Sequence, residues 1–388
     1  MRNQVVILTT CSEDWGGSEE LWAQSIPFIM DAGHPVTVCK GEIPTKHPKF
    51  IELKRLGVTF QEIYPGFRSI RKRFTRRVGN ELWKWRHRKS DLPGLVLHPS
   101  VQAFETYLRE TKPGLVVISQ GINFDGLAYA YPCLQLGIPY VIIAQKAVDF
   151  YWPLPADRRL MRELLLHAKR CFFVSQHNLR LTEEQFGMRL KNGEVIFNPV
   201  KIKAPIPYPE VQSGYRFCCI ARLFLLDKGQ DMLLRVLSLE KWKQRPVHVS
   251  FIGKGIDKEA LIELAELLDV KKVSFEAYTD QIDKVWETHH ALILPSRSEG
   301  LPLTIMEAMM AGRPVITTDA GGNAELLEEG VSGYIALPVE ASLDEAMERA
   351  WQQRNRWQEI GHNASQHIAR TVPSSPEEIL GNKLLAIL

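Results

Sequence analysis

Short apolar runs recur along this chain, each separated from the next by enough residues for one helix, and this alternation restricts the fold more than any other feature. Val5-Val6-Ile7-Leu8, Val36-Thr37-Val38-Cys39, Leu115-Val116-Val117-Ile118 and Tyr140-Val141-Ile142-Ile143-Ala144 are nearly continuous hydrophobic stretches. Strands covered on both faces read this way, and strands joined through helices run parallel. The pattern pauses at residues 201–214, where Pro205, Pro207 and Pro209 follow Pro199, and resumes at Phe217-Cys218-Cys219-Ile220-Ala221. It continues through residues 247–252, 273–275, 291–294 and 315–317. A chain of 388 residues has room for two domains. The expected architecture is α/β: two Rossmann-like, doubly wound parallel-sheet domains, residues 1–202 and 203–373, with strand ends facing a central cleft.

Composition removes several classes. Apolar residues make up 45% and charged residues 24% of the chain, as in ordinary globular proteins. No apolar run approaches the ~18 residues that cross a bilayer. Residues 1–10 lack the apolar core and small-residue cleavage site of a signal peptide. Cys11, Cys39, Cys133, Cys171, Cys218 and Cys219 show no C-x-x-C spacing, so reduced thiols, no metal site and a cytoplasmic location are expected. The chain has no G-x-G-x-x-G motif, which leaves a nicotinamide or flavin cofactor unindicated.

A net charge of +3 conceals one strongly basic segment. Residues 67–89 contain ten Lys or Arg and one acid, Glu81, a local charge of +9 that leaves −6 for the rest of the chain. Phe67, Ile70, Phe74, Val78, Leu82 and Trp85 recur there at helical spacing. Two readings stand. One is a basic amphipathic helix on an anionic membrane surface, with Phe74, Arg76, Arg77, Trp83 and Trp85 as its contacts. The other is a solvated helix packed on its domain by the apolar stripe. Nothing else resembles a nucleic-acid module, and no nucleic-acid partner is expected.

The strands lead into loops of ligand-binding type. Residues 296–307 carry Glu299-Gly300-Leu301-Pro302-Leu303-Thr304 and then Glu307, between a strand at 291–294 and a helix that stops at Ala311-Gly312-Arg313-Pro314. Free N–H groups at such a helix start favour phosphate, and a carboxylate just beyond suits ribose or sugar hydroxyls. Thr304-x-x-Glu307 is also a capping box, and the stretch by itself leaves both readings open. Arg222 and Lys228 bracket another strand-to-helix loop, a pairing that suits a diphosphate. Gly16-Gly17-Ser18-Glu19 opens the first helix, either to admit a ligand close to the backbone or to make a tight turn, with Ser18 as N-cap. Gly253-Lys254-Gly255 follows the strand at 247–252. Gln145, Lys146 and Asp149 follow the strand at 140–144 together with Phe150-Tyr151-Trp152, and either line a cleft or form a packed surface loop. Ser175 is expected to cap a helix ending near Gly187.

Taken together these residues resemble the retaining nucleotide-sugar glycosyltransferases of family 4, which have the GT-B fold. The resemblance rests on Glu299-x7-Glu307, on Ala308-Met309-Met310-Ala311-Gly312-Arg313-Pro314 and on Gly321-Gly322-Asn323-Ala324-Glu325. Ala221-Arg222-Leu223 with Lys228-Gly229, Gly16-Gly17-Ser18-Glu19, Val174-Ser175 and Asn198-Pro199 support it in order and spacing. It implies a transferase that moves a sugar from a nucleotide-sugar donor to a glycan or lipid-linked glycan acceptor, in cell-surface polysaccharide synthesis, with retention and without a metal or cofactor. Arg222 and Lys228 would then neutralise the diphosphate. Glu307 would hold the ribose, and Glu299 with Gly300, Leu301, Pro302, Leu303 and Thr304 would meet the donor sugar and β-phosphate. Gly16 and Gly17 would approach the phosphate from the first domain, and the loop at Gly253 would border the base. The resemblance also implies that residues 374–388 return to the first domain as a helix. Many relatives have a histidine where this chain has Gln145, which leaves Lys146 and Asp149 as unassigned acceptor or sugar contacts. A nucleotide-sugar-binding scaffold subunit and another GT-B activity, such as a nucleotide-sugar epimerase, are the alternatives.

Overall fold

The computed structural model describes residues 4–63, 94 and 96–388. The basic segment, with Phe74, Arg76, Arg77, Trp83 and Trp85, lies outside the described residues. Among the described residues, no helix is long and apolar enough to cross a membrane, and all six cysteines are free thiols.

The chain forms two compact units, residues 1–198 with 375–388, and residues 199–374. In the first, β1 (Val5–Thr9), β2 (Val36–Lys40), β3 (Thr59–Glu62), β4 (Leu115–Gln120), β5 (Tyr140–Ala144), β6 (Cys171–Phe173) and β7 (Gly193–Val195) make one sheet. Its order is β3-β2-β1-β4-β5-β6-β7, and every pairing is parallel. In the second, β8 (Tyr215–Ile220), β9 (Val247–Ile252), β10 (Val273–Glu276), β11 (Ala291–Leu294), β12 (Val315–Thr318) and β13 (Gly333–Ala336) pair in the order β10-β9-β8-β11-β12-β13, again all parallel. Every residue of β1, β4, β5, β11 and β12 is buried. That burial explains the unbroken apolar runs, because helices cover both faces of a doubly wound sheet. The strand order reverses between β1 and β4 and between β8 and β11. Ligands of such sheets bind beyond the carboxyl ends of the strands at that reversal.

Local signals mostly act where the sequence places them. Ser175 caps the helix Gln176–Phe186 by accepting a hydrogen bond from Asn178 N, and Gly187 ends it with φ of 60°. Ser18 does not cap. The helix Gly17–Asp31 starts after Gly16, whose carbonyl already accepts from Glu19 N, so Ser18 sits inside the first turn. The final helix, Pro376–Leu385, packs on Gly17–Asp31, with Leu380 and Leu384 buried in the same apolar cluster as Leu21, Trp22 and Ile26. Residues 206–208 read as linker in the sequence, yet they are fastened to the second unit by Arg313. This arginine is fully buried. It donates to the carbonyls of Ile206, Pro207, Trp286, His289, Ala311 and Gly312, and its guanidinium lies 5.2 Å from the Tyr208 ring centre. Burial without a carboxylate lowers its pKa to about 10.

Candidate functional site

In the second unit, the loops that follow β8 and β11 flank the reversal of strand order. The chain leaves β8 through Ala221 and Arg222 and turns once through the short helix Leu225–Lys228. Gly229 ends that turn at φ of 61°, and a Cβ there would lie 2.1 Å from Pro295 O in the opposite loop. Only glycine allows both the conformation and the contact. Polar bonds fasten the loops further. Asp227 O accepts from Arg297 N at 2.7 Å and from Ser298 N at 3.1 Å. The Arg297 guanidinium donates to both carboxylate oxygens of Asp231, at 2.7 and 2.9 Å, and to Leu225 O. Burial pushes the Asp231 carboxyl up, but Arg297 and Arg235 outweigh it and hold the group below its ordinary range.

This frame sets Lys228 against Glu299. Lys228 Nζ lies 2.6 Å from Glu299 Oε1, the two side chains being 15% and 6% exposed, and Ser296 Oγ donates to the same oxygen at 2.6 Å. The lysine that the sequence assigns to a diphosphate is therefore neutralised by the carboxylate it assigns to the sugar. Arg222 is exposed, with a guanidinium nitrogen 3.7 Å from Asp227 Oδ2. Its carbonyl accepts from Gln230 Nε2 at 2.6 Å. Sequence reasoning missed Ser296, Asp227, Gln230, Asp231 and Arg297 as parts of this frame. Only Asp231 and Arg235, spaced i,i+4, gave any signal.

Beyond Glu299 the chain enters the helix Leu303–Met310, and here one sequence reading is corrected. The N-cap is Pro302, with no side-chain capping bond, so Thr304 is the second helical residue and the Thr304–Glu307 capping box does not form. No acidic side chain occupies the first turn. The N–H groups of Leu303 and Thr304 precede the first intrahelical acceptor and point out of the helix end, the arrangement that attracts anions. Glu307, on the second turn, is 5% exposed. Behind the loop, Gly322 N donates to Gly300 O at 2.8 Å. Gly253 has a reason of its own: a Cβ on it would lie 2.0 Å from Ala221 O, so packing of the loops after β8 and β9 requires glycine there.

The first unit holds the other assigned residues. Gly16 has extended backbone, and a Cβ on it would meet Cys11 Sγ and Ser18 Oγ at an ordinary 3.5 Å. Space does not demand glycine at that place, although an N-cap favours it over alanine. Gly17 is the first residue of the helix and is exposed. Beneath them Glu19 is fully buried, accepts from Thr9 Oγ1 at 2.7 Å and lies 3.6 Å from Lys40 Nζ, which itself donates to Cys11 O. Burial raises the Glu19 pKa against the pull of Lys40. At the carboxyl end of β5, Gln145 is buried and its Oε1 accepts from Asn198 Nδ2 at 2.9 Å. Lys146 is half-buried and Asp149 exposed.

Comparison with known proteins matches residues 206–367 to the family described as glycosyl transferases group 1. A lipopolysaccharide 1,6-galactosyltransferase of Escherichia coli K12 is 27% identical over 253 residues, covering 61% of this chain and 65% of that protein. An uncharacterized glycosyltransferase of Haemophilus influenzae is 33% identical over 110 residues, 28% of this chain and 31% of the relative. These matches span less than two thirds of either relative's length. Among solved structures, Anabaena HepE in complex with UDP superposes with a TM-score of 0.74 at 17% identity, covering 99% of this chain and all of that one. A lipopolysaccharide outer core galactosyltransferase in its apo form gives 0.69 at 18% identity, also over 99% of this chain. These likenesses establish the GT-B class of two Rossmann-like parallel-sheet units. The match to the family described as glycosyl transferases group 1 thus lies within the second unit, at residues 206–367.

Proposed function

We propose that this protein transfers a sugar from a nucleotide-sugar donor to a glycan or lipid-linked glycan acceptor, with retention at the anomeric carbon, in the synthesis of a cell-surface polysaccharide. The observation that carries the reading is the Lys228–Glu299 pair beside the uncapped start of the helix Leu303–Met310, all at the strand-order reversal of the second sheet. Cleaving a sugar–phosphate bond builds negative charge on the departing diphosphate. Lys228 once Glu299 releases it, Arg222 and the outward N–H groups are sources of positive potential, and such groups lower that barrier most when they are held in place beforehand. These groups supply charge stabilisation from the protein itself, so the reading includes no metal and no cofactor. In this reading Glu299 passes from Lys228 to a hydroxyl of the donor sugar as the phosphate arrives, and Glu307 holds the ribose. Gly16 and Gly17 contact phosphate from the first unit. The group 1 family match and the galactosyltransferase relative support transfer over mere binding. For the basic segment at 67–89, the proposal is peripheral contact with an anionic membrane on the cytoplasmic face.

A turnover screen across nucleotide sugars tests the reading, with nucleotide release and the anomeric configuration of the product as readouts, and with and without EDTA. The expected result is acceptor-dependent release with a retained anomer, unaffected by EDTA. Tight nucleotide-sugar binding with no release on any acceptor points instead to a scaffold subunit, and an inverted product refutes retention.

A further inference from the structure

β13 is an end strand of the second sheet, so one side of its backbone has no neighbouring strand among the described residues. Such an edge offers N–H and C=O groups to any other extended chain. Asp319 N donates to Ala336 O at 2.7 Å, which turns residues 334 and 336 toward β12 and residues 333, 335 and 337 away from it. Each outward residue is served from outside the sheet. Glu329 bridges Gly333, and Gly330 N donates to Gly333 O at 2.8 Å. Leu337 N donates to Ser342 Oγ at 2.9 Å, and Leu337 O accepts from Val339 N at 2.7 Å.

The centre of the edge is closed by an ion pair instead. Ile335 N donates to Glu329 Oε2 at 2.7 Å, and Arg349 Nη2 donates to Ile335 O at 3.0 Å. Arg349 Nε donates to Glu329 Oε1 at 2.9 Å. A carboxylate and a guanidinium thus hold the two backbone groups that a residue of a neighbouring strand would hold. Glu329 precedes β13, and Arg349 lies in the helix Glu340–Gln352 that follows it. The side chains are 45% and 44% exposed, and the charges of so exposed a pair add little to stability. What the pair covers is Gly333-Tyr334-Ile335-Ala336-Leu337, a stretch with no charge and no proline. Val331, Leu337 and Val339 are exposed beside it, at 41%, 60% and 52%.

We propose that the Glu329–Arg349 pair is a cap on the β13 edge, and that the surface under the cap fits β13 of a second copy of this chain. Two copies related by a two-fold axis would lay residues 333–337 antiparallel, with the outward groups of each strand meeting those of the other. With Ile335 at the axis, Leu337 of each copy falls opposite Gly333 of its partner, where no side chain stands in its way. An uncharged edge with exposed apolar residues beside it carries its own match, and such edges pair with themselves unless something covers them. With the ion pair in place the two groups of Ile335 are taken and the edge stays closed.

Sedimentation velocity and hydrogen exchange on the full chain test the cap, and neither needs turnover. Wild type is expected to show no association through this edge and slow exchange at the Ile335 amide. Glu329→Ala is expected to keep the wild-type melting temperature and, when dilute, to exchange that amide about tenfold faster. Both Glu329→Ala and Arg349→Met are expected to dimerise as concentration rises, with residues 333–337 protected again in the dimer. Glu329→Gln keeps an acceptor for Ile335 N and for Arg349 Nε, and is expected to stay closed. Glu329→Arg combined with Arg349→Glu restores an ion pair but not the cap. A guanidinium cannot accept from Ile335 N, and a carboxylate cannot donate to Ile335 O, so this variant is expected to dimerise as well. Glu329→Ala and Arg349→Met that stay monomeric at every concentration overturn the proposal. So does a charge-exchanged variant that is monomeric while the single substitutions dimerise, since charge alone would then suffice. A dimer without protection at residues 333–337, or a wild-type dimer protected there, overturns it too.

Discussion

The Lys228–Glu299 pair makes opposite predictions for its two members, and this is its most exposed consequence. In the free protein the ammonium is neutralised at 2.6 Å. Glu299→Gln keeps the side-chain shape and an amide oxygen for Lys228 but removes the negative charge, so an incoming diphosphate meets an uncompensated cation. At an effective dielectric of about 20, a unit charge some 6 Å away contributes about 3 kcal/mol, an upper bound before screening. Nucleoside diphosphate should therefore bind about ten- to a hundredfold tighter to Glu299→Gln, with transfer strongly reduced. Lys228→Met does the reverse. It strands a carboxylate that is 6% exposed and keeps the Ser296 Oγ donor. Breaking a buried pair this way costs about 3–5 kcal/mol of stability, and the remaining charge repels phosphate. The double substitution should recover much of that stability, since neither charge is then left alone. Calorimetric titration with nucleoside diphosphate at two salt concentrations, beside denaturant melts, measures all of this. If Glu299→Gln weakens nucleotide binding as Lys228→Met does, Glu299 holds the ligand directly and the compensation argument is wrong.

Three further outcomes follow from single residues. Gly16→Ala, at the N-cap of the first helix but with its Cβ in ordinary contacts, should cost about 1 kcal/mol of stability, yet lower kcat/KM at least tenfold; unchanged turnover removes Gly16 from the phosphate site. Arg313→Met removes a guanidinium that serves six carbonyls and should destabilise the second unit by about 3–5 kcal/mol; a loss below about 1 kcal/mol would show that the carbonyls find other donors. Burial lowers the pKa of His248, His289 and His290 in the folded chain. Unfolding then takes up protons as the pH falls through about 6.5. Stability is full above that value and is lost as pH falls toward the folded pKa values, by at most about 1.4 kcal/mol per pH unit for each histidine. Melting temperatures flat between pH 7 and 5.5 contradict this, and His289→Asn should flatten the slope in part.

The sheets were legible because a parallel strand covered on both faces leaves an unbroken apolar run, as β1, β4, β5 and β11 do. Helix starts were less so. Ser18 and Thr304 have the right chemistry for capping, but capping depends on where helical dihedrals begin. Gly16 is extended at φ −136°, and Pro302 has ψ of 125°, so both helices begin one residue before the side chain that could have capped them. The frame around Lys228 was invisible for a different reason. Arg297 and Asp231 stand 66 residues apart, and Lys228 and Glu299 stand 71 apart. Only the β8–β11 adjacency brings them together. Arg313 sat in plain view within a helix-stop signal, where a cation near a helix end has a sufficient local explanation that hides its bonds to residues 206 and 207.

Glycine is the residue on which sequence and structure divide most usefully. In the sequence Gly16, Gly253 and Gly321 look alike, each following a strand-like run where a ligand could approach the backbone. The structure separates them by what a Cβ would strike. At Gly253 and Gly321 it would fall 2.0 Å from Ala221 O and 2.1 Å from Glu299 O, so the packing of neighbouring loops already requires glycine and no ligand is needed to explain it. At Gly16 it would meet two side-chain atoms at 3.5 Å, with the backbone outside the left-handed region. Gly16 is the N-cap of the helix Gly17–Asp31, where glycine is preferred over alanine, so the helix start gives it a local reason of a different kind. The glycine loops after β9 and β12 shape the second unit's crevice from behind, by fixing Ala221 and Glu299 where the strand order reverses.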